Sequence, residues 1–362
     1  MSLDVLSPIK IGPYQLRNRV WMAPLTRCRA DADRAPTPLN AEYYRQRAGA
    51  GLIIAEATQI SPRGVGYPGT PGIHSEKQVE GWTGVTRAVH DAGGRIFLQL
   101  WHCGRVSHSD FHGGEPPLSS SAVAANGMAS TPSGPKPYET PRAMTIDEIR
   151  GTMRDYRVGA ENALRAGFDG VELHGANGYL PDQFLRDGVN QRTDAYGGPI
   201  ENRARFMREA LDQLVEAWGP SRVGVRLSPS GTFGDTGDSN RKATFGHVVT
   251  EFGKLGLAYL HIMEAMEGDL KNAEPGYAPI PVSFFRPMTS TPIVTNSAFT
   301  HEKADAYIRE GWADAVAFGV PFIANPDLPA RFAKGAPLNT PDPSTFYGGG
   351  EKGYVDYPGM GD

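Results

Sequence analysis

The chain has 362 residues, enough for one large barrel or two ordinary domains. Hydrophobic residues make up 40% and charged residues 21%, which excludes a disordered chain. A formal net charge of −4 excludes a general attraction to nucleic acid or anionic lipid. The opening Met1-Ser2-Leu3-Asp4 has neither the basic flank nor the apolar core of a signal peptide. The longest apolar runs are strand-length, short of the ~20 residues a membrane-spanning helix needs. A cytoplasmic protein that binds neither nucleic acid nor membrane is the expectation. Cys28 and Cys103 are too few for a disulfide framework and lack metal-ligand spacing.

Residues 9–16 read as a small hairpin. Eight short apolar runs then recur along the chain, at 20–25, 52–57, 96–101, 170–174, 223–227, 258–263, 292–295 and 315–318. Their length suits strands buried on both faces of a parallel sheet, although a buried helix has the same apolar signature. Between them, residues 75–92, 145–166, 200–218 and 300–310 carry apolar side chains at helical spacing. In the second of these, Ile146, Ile149, Met153, Tyr156 and Ala160 share one face, and Thr145 with Glu148 forms a capping box. Gly93, Gly167, Gly219 and Gly311 mark the helix ends.

Eight strands alternating with helices predict a (β/α)8 barrel in a single domain spanning 1–362, with the opening hairpin over its floor. Such barrels use about 250 residues, so the surplus falls in insertions. The clearest is 102–142, rich in Gly, Pro and Ser, placed to cap the barrel mouth after the third strand. Others span 231–245 and 267–288. An open doubly wound sheet would want a Gly-rich turn after the first strand, where the chain instead reads Ala23-Pro24-Leu25-Thr26-Arg27.

Barrel active sites sit at the C-terminal ends of the strands. Those ends read Ala23-Pro24-Leu25-Thr26, Glu56-Ala57-Thr58, Gln99-Leu100-Trp101-His102, His174-Gly175-Ala176-Asn177-Gly178-Tyr179 and Arg226-Leu227-Ser228-Pro229. Amide, indole, imidazole, phenol and guanidinium groups converge, without a carboxylate pair or a Cys nucleophile. That inventory suits holding a polar planar ligand better than hydrolysis. The sharpest element is His174-x-x-Asn177-x-Tyr179. Its short spacing lets His174 and Asn177 donate to one oxygen on which negative charge develops, with Tyr179 as a proton source. A structural hydrogen-bonding histidine has the same appearance in isolation.

In combination these residues resemble the old yellow enzyme family, nearest its bacterial branch that includes pentaerythritol tetranitrate reductase. The matching words are Asn18-Arg19-Val20, Met22-Ala23-Pro24-Leu25-Thr26-Arg27, Glu56-Ala57-Thr58-Gln59-Ile60-Ser61 and Gln99-Leu100-Trp101-His102. They continue with Glu172-Leu173-His174-Gly175-Ala176-Asn177-Gly178-Tyr179-Leu180, Tyr196-Gly197-Gly198, Glu201-Asn202-Arg203 and Arg226-Leu227-Ser228-Pro229. Phe322-Ile323-Ala324-Asn325-Pro326-Asp327-Leu328 and Thr345-Phe346-Tyr347-Gly348-Gly349 close the series, in family order across nearly the whole chain.

The resemblance implies an FMN-dependent ene-reductase that reduces activated C=C bonds by a ping-pong mechanism, with NADPH or NADH as hydride donor. Pro24, Leu25 and Ala57 would line the flavin ring, Thr26 would bond its C4 oxygen, and Gln99 would pair with its pyrimidine edge. Arg226 would face N1 and the C2 oxygen. His174 and Asn177 would grip the oxygen of an electron-poor alkene, and Tyr179 would protonate Cα. Tyr67, Trp101 and Tyr347 would cage the substrate. The protein would be a monomer or homodimer, with no metal. Glu201, Asn202 and Arg203 read as structural, Cys103 as a small hydrophobe and Cys28 as a bystander, while His102 stays open between the two kinds of role.

The chain departs from the family at the phosphate end. Relatives carry Gly-Arg after the last strand, where this chain has Gly319-Val320, and a Gly-containing turn where it has Asn296-Ser297-Ala298. The backbone N–H groups of Asn296, Ser297, Gly319 and Val320 are left as a possible nest. Two alternatives follow: reduction of nitrate esters or nitroaromatics on the same site, and a weakly flavin-loaded binding protein for phenols or steroids. The iron–sulfur relatives are excluded, since two cysteines cannot supply four thiolates.

Overall fold

A computed structural model of the chain describes residues 3–266, 268–269 and 277–361. The opening hairpin forms as β1 (Ile9–Ile11) and β2 (Tyr14–Leu16). The eight apolar runs all become strands, within a few residues at either end: β3 (Val20–Met22), β4 (Ile53–Gln59), β5 (Ile96–Trp101), β10 (Gly170–His174), β11 (Val223–Leu227), β12 (Tyr259–Met263), β13 (Ile293–Asn296) and β14 (Ala315–Phe318). They pair in parallel as one closed eight-stranded barrel, sealed where β14 meets β3 through Val316↔Val20. The insertion over 102–142 contributes β6 (Leu118–Ser119), β7 (Met128–Thr131), β8 (Gly134–Pro137) and β9 (Arg142–Ala143), which form two separate pairs, β6 with β9 and β7 with β8.

The helices follow the apolar spacing. α2 (Glu76–Asp91), α3 (Ile146–Arg165), α5 (Ile200–Trp218) and α8 (His301–Arg309) match the four periodic stretches. Thr145 caps α3 by the foreseen box, its hydroxyl accepting from the Glu148 N–H at 3.2 Å. Ile149, Met153, Tyr156 and Ala160 bury the inner face of α3. Each of the larger side chains contributes roughly 1.5–3 kcal/mol by burial.

Further helices lie where no expectation had placed them: α1 (Pro38–Gln46), α4 (Leu180–Leu185), α6 (Arg241–Gly253), α7 (Val282–Phe285), α9 (Val320–Ala324) and α10 (Leu328–Lys334). The insertion expected over 231–245 thus ends earlier, because Asn240 caps α6 by accepting from the Ala243 N–H. Of the insertion expected over 267–288, residues 267 and 270–276 lie outside the described residues.

The barrel interior changes character with height. At the floor, Ile11 and Leu16 of the hairpin pack against Trp21, Ile54, Phe97, Tyr259, Val294 and Ala317. Side chains alternate along a strand, so the next inward positions above Phe97 and Tyr259 are Gln99 and His261, both buried. Above those lie Trp101 and the mouth. A register shift between Ala55 and Thr58 in β4 re-aims two neighbours. Ala57 packs at the mouth with Trp101 and Cys103, whereas Glu56 bonds Tyr44 of α1.

Candidate active site

The C-terminal end of β10 sets the centre of the site. After His174 the chain takes left-handed backbone at Asn177 (φ 57°) and Gly178 (φ 70°). Asn tolerates that region better than other side chains, and at 178 an added Cβ would meet Thr236 Oγ1 at 2.5 Å, so only glycine fits. Asp182 accepts from the Gly178 N–H at 2.9 Å, and Ser228 Oγ accepts from the Asn177 N–H at 2.7 Å. Tyr179 then stands at the start of α4 with its ring turned back to His174, 4.8 Å between centroids.

Aromatic rings from three strand ends converge there. Trp101 meets Tyr179 edge-on at 5.0 Å and stacks on Tyr67 at 5.5 Å. The Tyr67 and Tyr179 hydroxyls lie 3.1 Å apart. A cavity of about 750 Å³ opens beside them, lined by Thr26, Cys28, Tyr67, Tyr179 and Tyr347 on the barrel side. The 102–142 segment supplies its outer wall through Asn126, Met128, Ser130 and Tyr138, and Phe233 closes another side. Arg105 ties these walls together, donating to the Val123, Ala124 and Gly234 carbonyls at 2.9–3.1 Å.

Beneath the rings lies a polar layer. Gln99 Nε2 donates to Glu172 Oε1 at 2.7 Å; His261 Nδ1 is 2.9 Å from Glu172 Oε2; and His261 Nε2 is 3.0 Å from Asn296 Oδ1. All four side chains are buried. Arg226 adds its charge to this layer from β11 and is itself buried. Burial, with Arg226 and then His261 as neighbours, holds the His174 imidazole well below its usual range, so it is neutral at neutral pH. Burial holds the Tyr179 phenol well above its usual range, so it keeps its proton.

Among the described residues, Arg226 Nε, His174 Nδ1 and Trp101 Nε1 are buried with no hydrogen-bond partner. A buried polar group left unpaired costs about 1–3 kcal/mol. Two N–H donors and an imidazole nitrogen around one mouth, above a layer with amide and guanidinium groups, suit a polar planar ring. A flavin ring has that character, so the residues present fit one.

The other foreseen residues lie around this centre. Pro24 is buried just beyond β3, and Leu25 lies against Gly319, its Cδ2 3.4 Å from where a Cβ on that glycine would stand. Asn296 and Ala317 are register partners, so Ser297 and Gly319 leave neighbouring strand ends. Ser297 Oγ donates to the Ala265 carbonyl, and Val320 is 44% exposed. Tyr347, 69% exposed, stands on the rim rather than inside. His102 Nδ1 accepts from the Gly104 N–H at 3.1 Å, and burial pushes its pKa down to about 3. Cys28 borders the cavity, yet burial and Glu56 push its thiol up to about 12, which keeps it protonated at neutral pH. Sequence reasoning missed the pairing of Glu172 with His261, and Met128, Tyr138 and Phe233 in the cavity wall.

Comparison with known proteins gives this arrangement its context. Residues 4–339 match the family model described as the NADH:flavin oxidoreductase / NADH oxidase family. A putative 12-oxophytodienoate reductase 2 from Oryza sativa subsp. japonica is 44% identical, covering 99% of this chain and 94% of the relative. A probable flavin mononucleotide-dependent alkene reductase from Leishmania infantum is 44% identical over 99% of this chain and 98% of its own. Among solved structures, an old yellow enzyme homologue from Zymomonas mobilis superposes with a TM-score of 0.94 at 45% identity, covering 98% of this chain and 99% of that one. Morphinone reductase gives a TM-score of 0.93 at 47% identity, with 99% and 97% covered. Among the described residues no helix is long and apolar enough to cross a membrane. With its closed parallel barrel, its ring-lined mouth and a match over nearly its whole length, the chain belongs to the NADH:flavin oxidoreductase / NADH oxidase family and is an oxidoreductase of the old yellow enzyme type.

Proposed function

We propose that this chain is an FMN-dependent ene-reductase, acting in the cytoplasm on small electron-poor alkenes such as α,β-unsaturated carbonyl or nitro compounds, nearest in kind to the pentaerythritol tetranitrate reductase-like branch. The observation that carries the reading is the convergence of His174 and Tyr179 with Trp101 and Tyr67, at the turn that bears Asn177, over a buried Gln99 and Arg226. When bound, FMN would supply the hydride chemistry between NADPH or NADH and the alkene. The protein's part is orientation and charge.

Gln99 would pair with the pyrimidine edge of the ring, Thr26 would bond its C4 oxygen, and Pro24, Leu25 and Ala57 would line it. The buried guanidinium of Arg226 would face N1 and the C2 oxygen and offset negative charge there. Neutral His174 and the Asn177 amide donate to the substrate oxygen as charge builds there. Tyr179, kept protonated by burial, gives its proton to Cα. Tyr67, Trp101 and Tyr347 hold the substrate flat. The Asn296, Ser297, Gly319 and Val320 backbone takes the phosphate end, where no arginine follows Gly319.

The test has two arms. The purified chain, with and without added FMN, should show a bound-flavin absorption spectrum that NADPH or NADH bleaches and cyclohexenone restores. Replacing His174 and Asn177 together by Ala should lower alkene reduction by roughly a hundred- to a thousandfold per donor lost while FMN content holds. A chain that takes up no flavin, or a double variant that reduces cyclohexenone at the parent rate, overturns the reading.

A further inference from the structure

The buried layer under the mouth is a continuous chain across the barrel: Gln99 on β5, Glu172 on β10, His261 on β12 and Asn296 on β13. Its links measure 2.7, 2.9 and 3.0 Å, and Gln99, Glu172 and His261 are at most 1% exposed. Four polar side chains are a costly filling for a barrel interior unless each is paired. A layer of apolar side chains, such as the one immediately below it, would fill the space at lower cost.

The chemistry of the links sets the direction of one of them. A carboxylate only accepts hydrogen bonds. Glu172 therefore takes an amide N–H from Gln99 on Oε1 and a ring N–H from His261 on Oε2, which uses one lone pair on each oxygen. With its nitrogen committed to Glu172, the Gln99 amide cannot turn end for end, and its oxygen is held on the other side. The carboxylate likewise keeps a proton on His261 Nδ1, whichever way the Asn296 amide faces.

We propose that Glu172 and His261 are positioning residues for the flavin: they lock the Gln99 amide so that its oxygen is presented to the N3–H of the pyrimidine edge. The proposal rests on the reading that a flavin occupies the mouth with that edge at Gln99. Glu172 acts only through Gln99 and touches no reacting atom. Its carboxylate also holds His261 and stands near the buried charge of Arg226, and an effect carried through Arg226 instead of Gln99 would persist in the Gln99→Leu background. Glutamine at 172 would keep the shape but offer either an oxygen or an NH2 to Gln99, so both orientations of the amide become available and the lock is lost.

A double-mutant cycle on FMN binding tests this without turnover. The full chain, stripped of flavin, is titrated with FMN and followed by quenching of flavin fluorescence. Gln99→Leu should raise the dissociation constant by about tenfold, the value of one net hydrogen bond of roughly 1.4 kcal/mol. Glu172→Gln should give a rise of several-fold up to about tenfold. The double variant should bind like Gln99→Leu alone, because the second change has nothing left to act through. Effects that multiply to about a hundredfold would mean that Glu172 supports the fold or the flavin independently, and would overturn the proposal. So would parent affinity in Glu172→Gln. If Gln99→Leu itself binds FMN like the parent, the pyrimidine edge lies elsewhere, and the underlying reading fails with the proposal. A second cycle, His261→Asn with Gln99→Leu, covers the case in which Glu172→Gln does not fold. A smaller rise is expected there, and it too should vanish in the Gln99→Leu background.

Discussion

Asp182 offers the sharpest test of how the fold holds the site. Its carboxylate is wholly buried and forms an ion pair with Arg186 at 2.8 Å, the two side chains being 0% and 1% exposed. The other oxygen accepts from the Gly178 N–H, which fastens α4 to the turn bearing Asn177 and Tyr179. Asp182→Asn removes the charge and leaves Arg186 buried without its counter-ion. Breaking a buried pair in this way costs about 3–5 kcal/mol. Arg186 retains carbonyl acceptors at Ser228, Gly231 and Thr236, which brings the figure toward the lower end, about 3 kcal/mol. Urea unfolding of the full chain should show a lower midpoint at an unchanged slope. Alkene turnover should fall too, since the Asn177–Tyr179 turn loses its anchor, while FMN is retained, because its proposed contacts lie on other strands. A loss below about 1 kcal/mol with turnover unchanged would refute the reasoning, because a buried pair broken on one side has no mild outcome.

Other outcomes follow from the same geometry. Tyr179→Phe should slow reoxidation of the flavin by alkenes and spare its reduction by NADPH, and stopped-flow traces with both halves equally impaired would reassign Tyr179 to packing around Trp101. Val320→Arg should tighten FMN and leave riboflavin unchanged; a charged contact contributes about 1.5–3 kcal/mol, and the 44% exposure of this position puts the gain near tenfold. Equal FMN affinity in parent and variant would mean that another group already holds the phosphate. Burial raises the Glu56 pKa from 4.5 to about 7, so the folded state binds a proton that the unfolded chain has lost over that interval. Its contribution to stability is full below about pH 4.5 and declines as pH rises toward 7, and Glu56→Gln should flatten that part of the stability–pH curve. A curve of the same slope in the variant would exclude Glu56 as its source.

The strands were legible because each is a short apolar run bounded by turn residues, a signal that survives burial on both faces. Helices were legible where they lie on the barrel with one wet face, as α3 and α5 do. α1 escaped because it buries only Asn40, Tyr43 and Tyr44, too few positions to set a period. Its start was nonetheless marked, by Thr37 as N-cap and Pro38 in the first turn. α6 escaped for another reason. Gly246 interrupts its pattern, and the Gly- and Asp-rich stretch before Asn240 extends the appearance of a loop into its first turn.

The mouth residues were legible because the barrel rule says where to look: the last residue of each strand and the few after it. Glu172 and His261 fall two positions or more before those ends, inside strands that read simply as buried. A signal was nevertheless present. In a strand buried on both faces no solvent awaits a carboxylate, so Glu172 between Val171 and Leu173 must find a partner inside the barrel. Gln99 and His261 are the polar residues at matching height on nearby strands, two above Phe97 and Tyr259. Their pairing is thus a consequence of alternation once the closed barrel is granted. What the chain alone leaves open is the order of partners around the ring, because that depends on which strands are neighbours and on their stagger. Glu172 faces Gln99 directly in register, but it reaches His261 only across β11, past Gly224, whose missing side chain leaves room for the Tyr259 ring beside it.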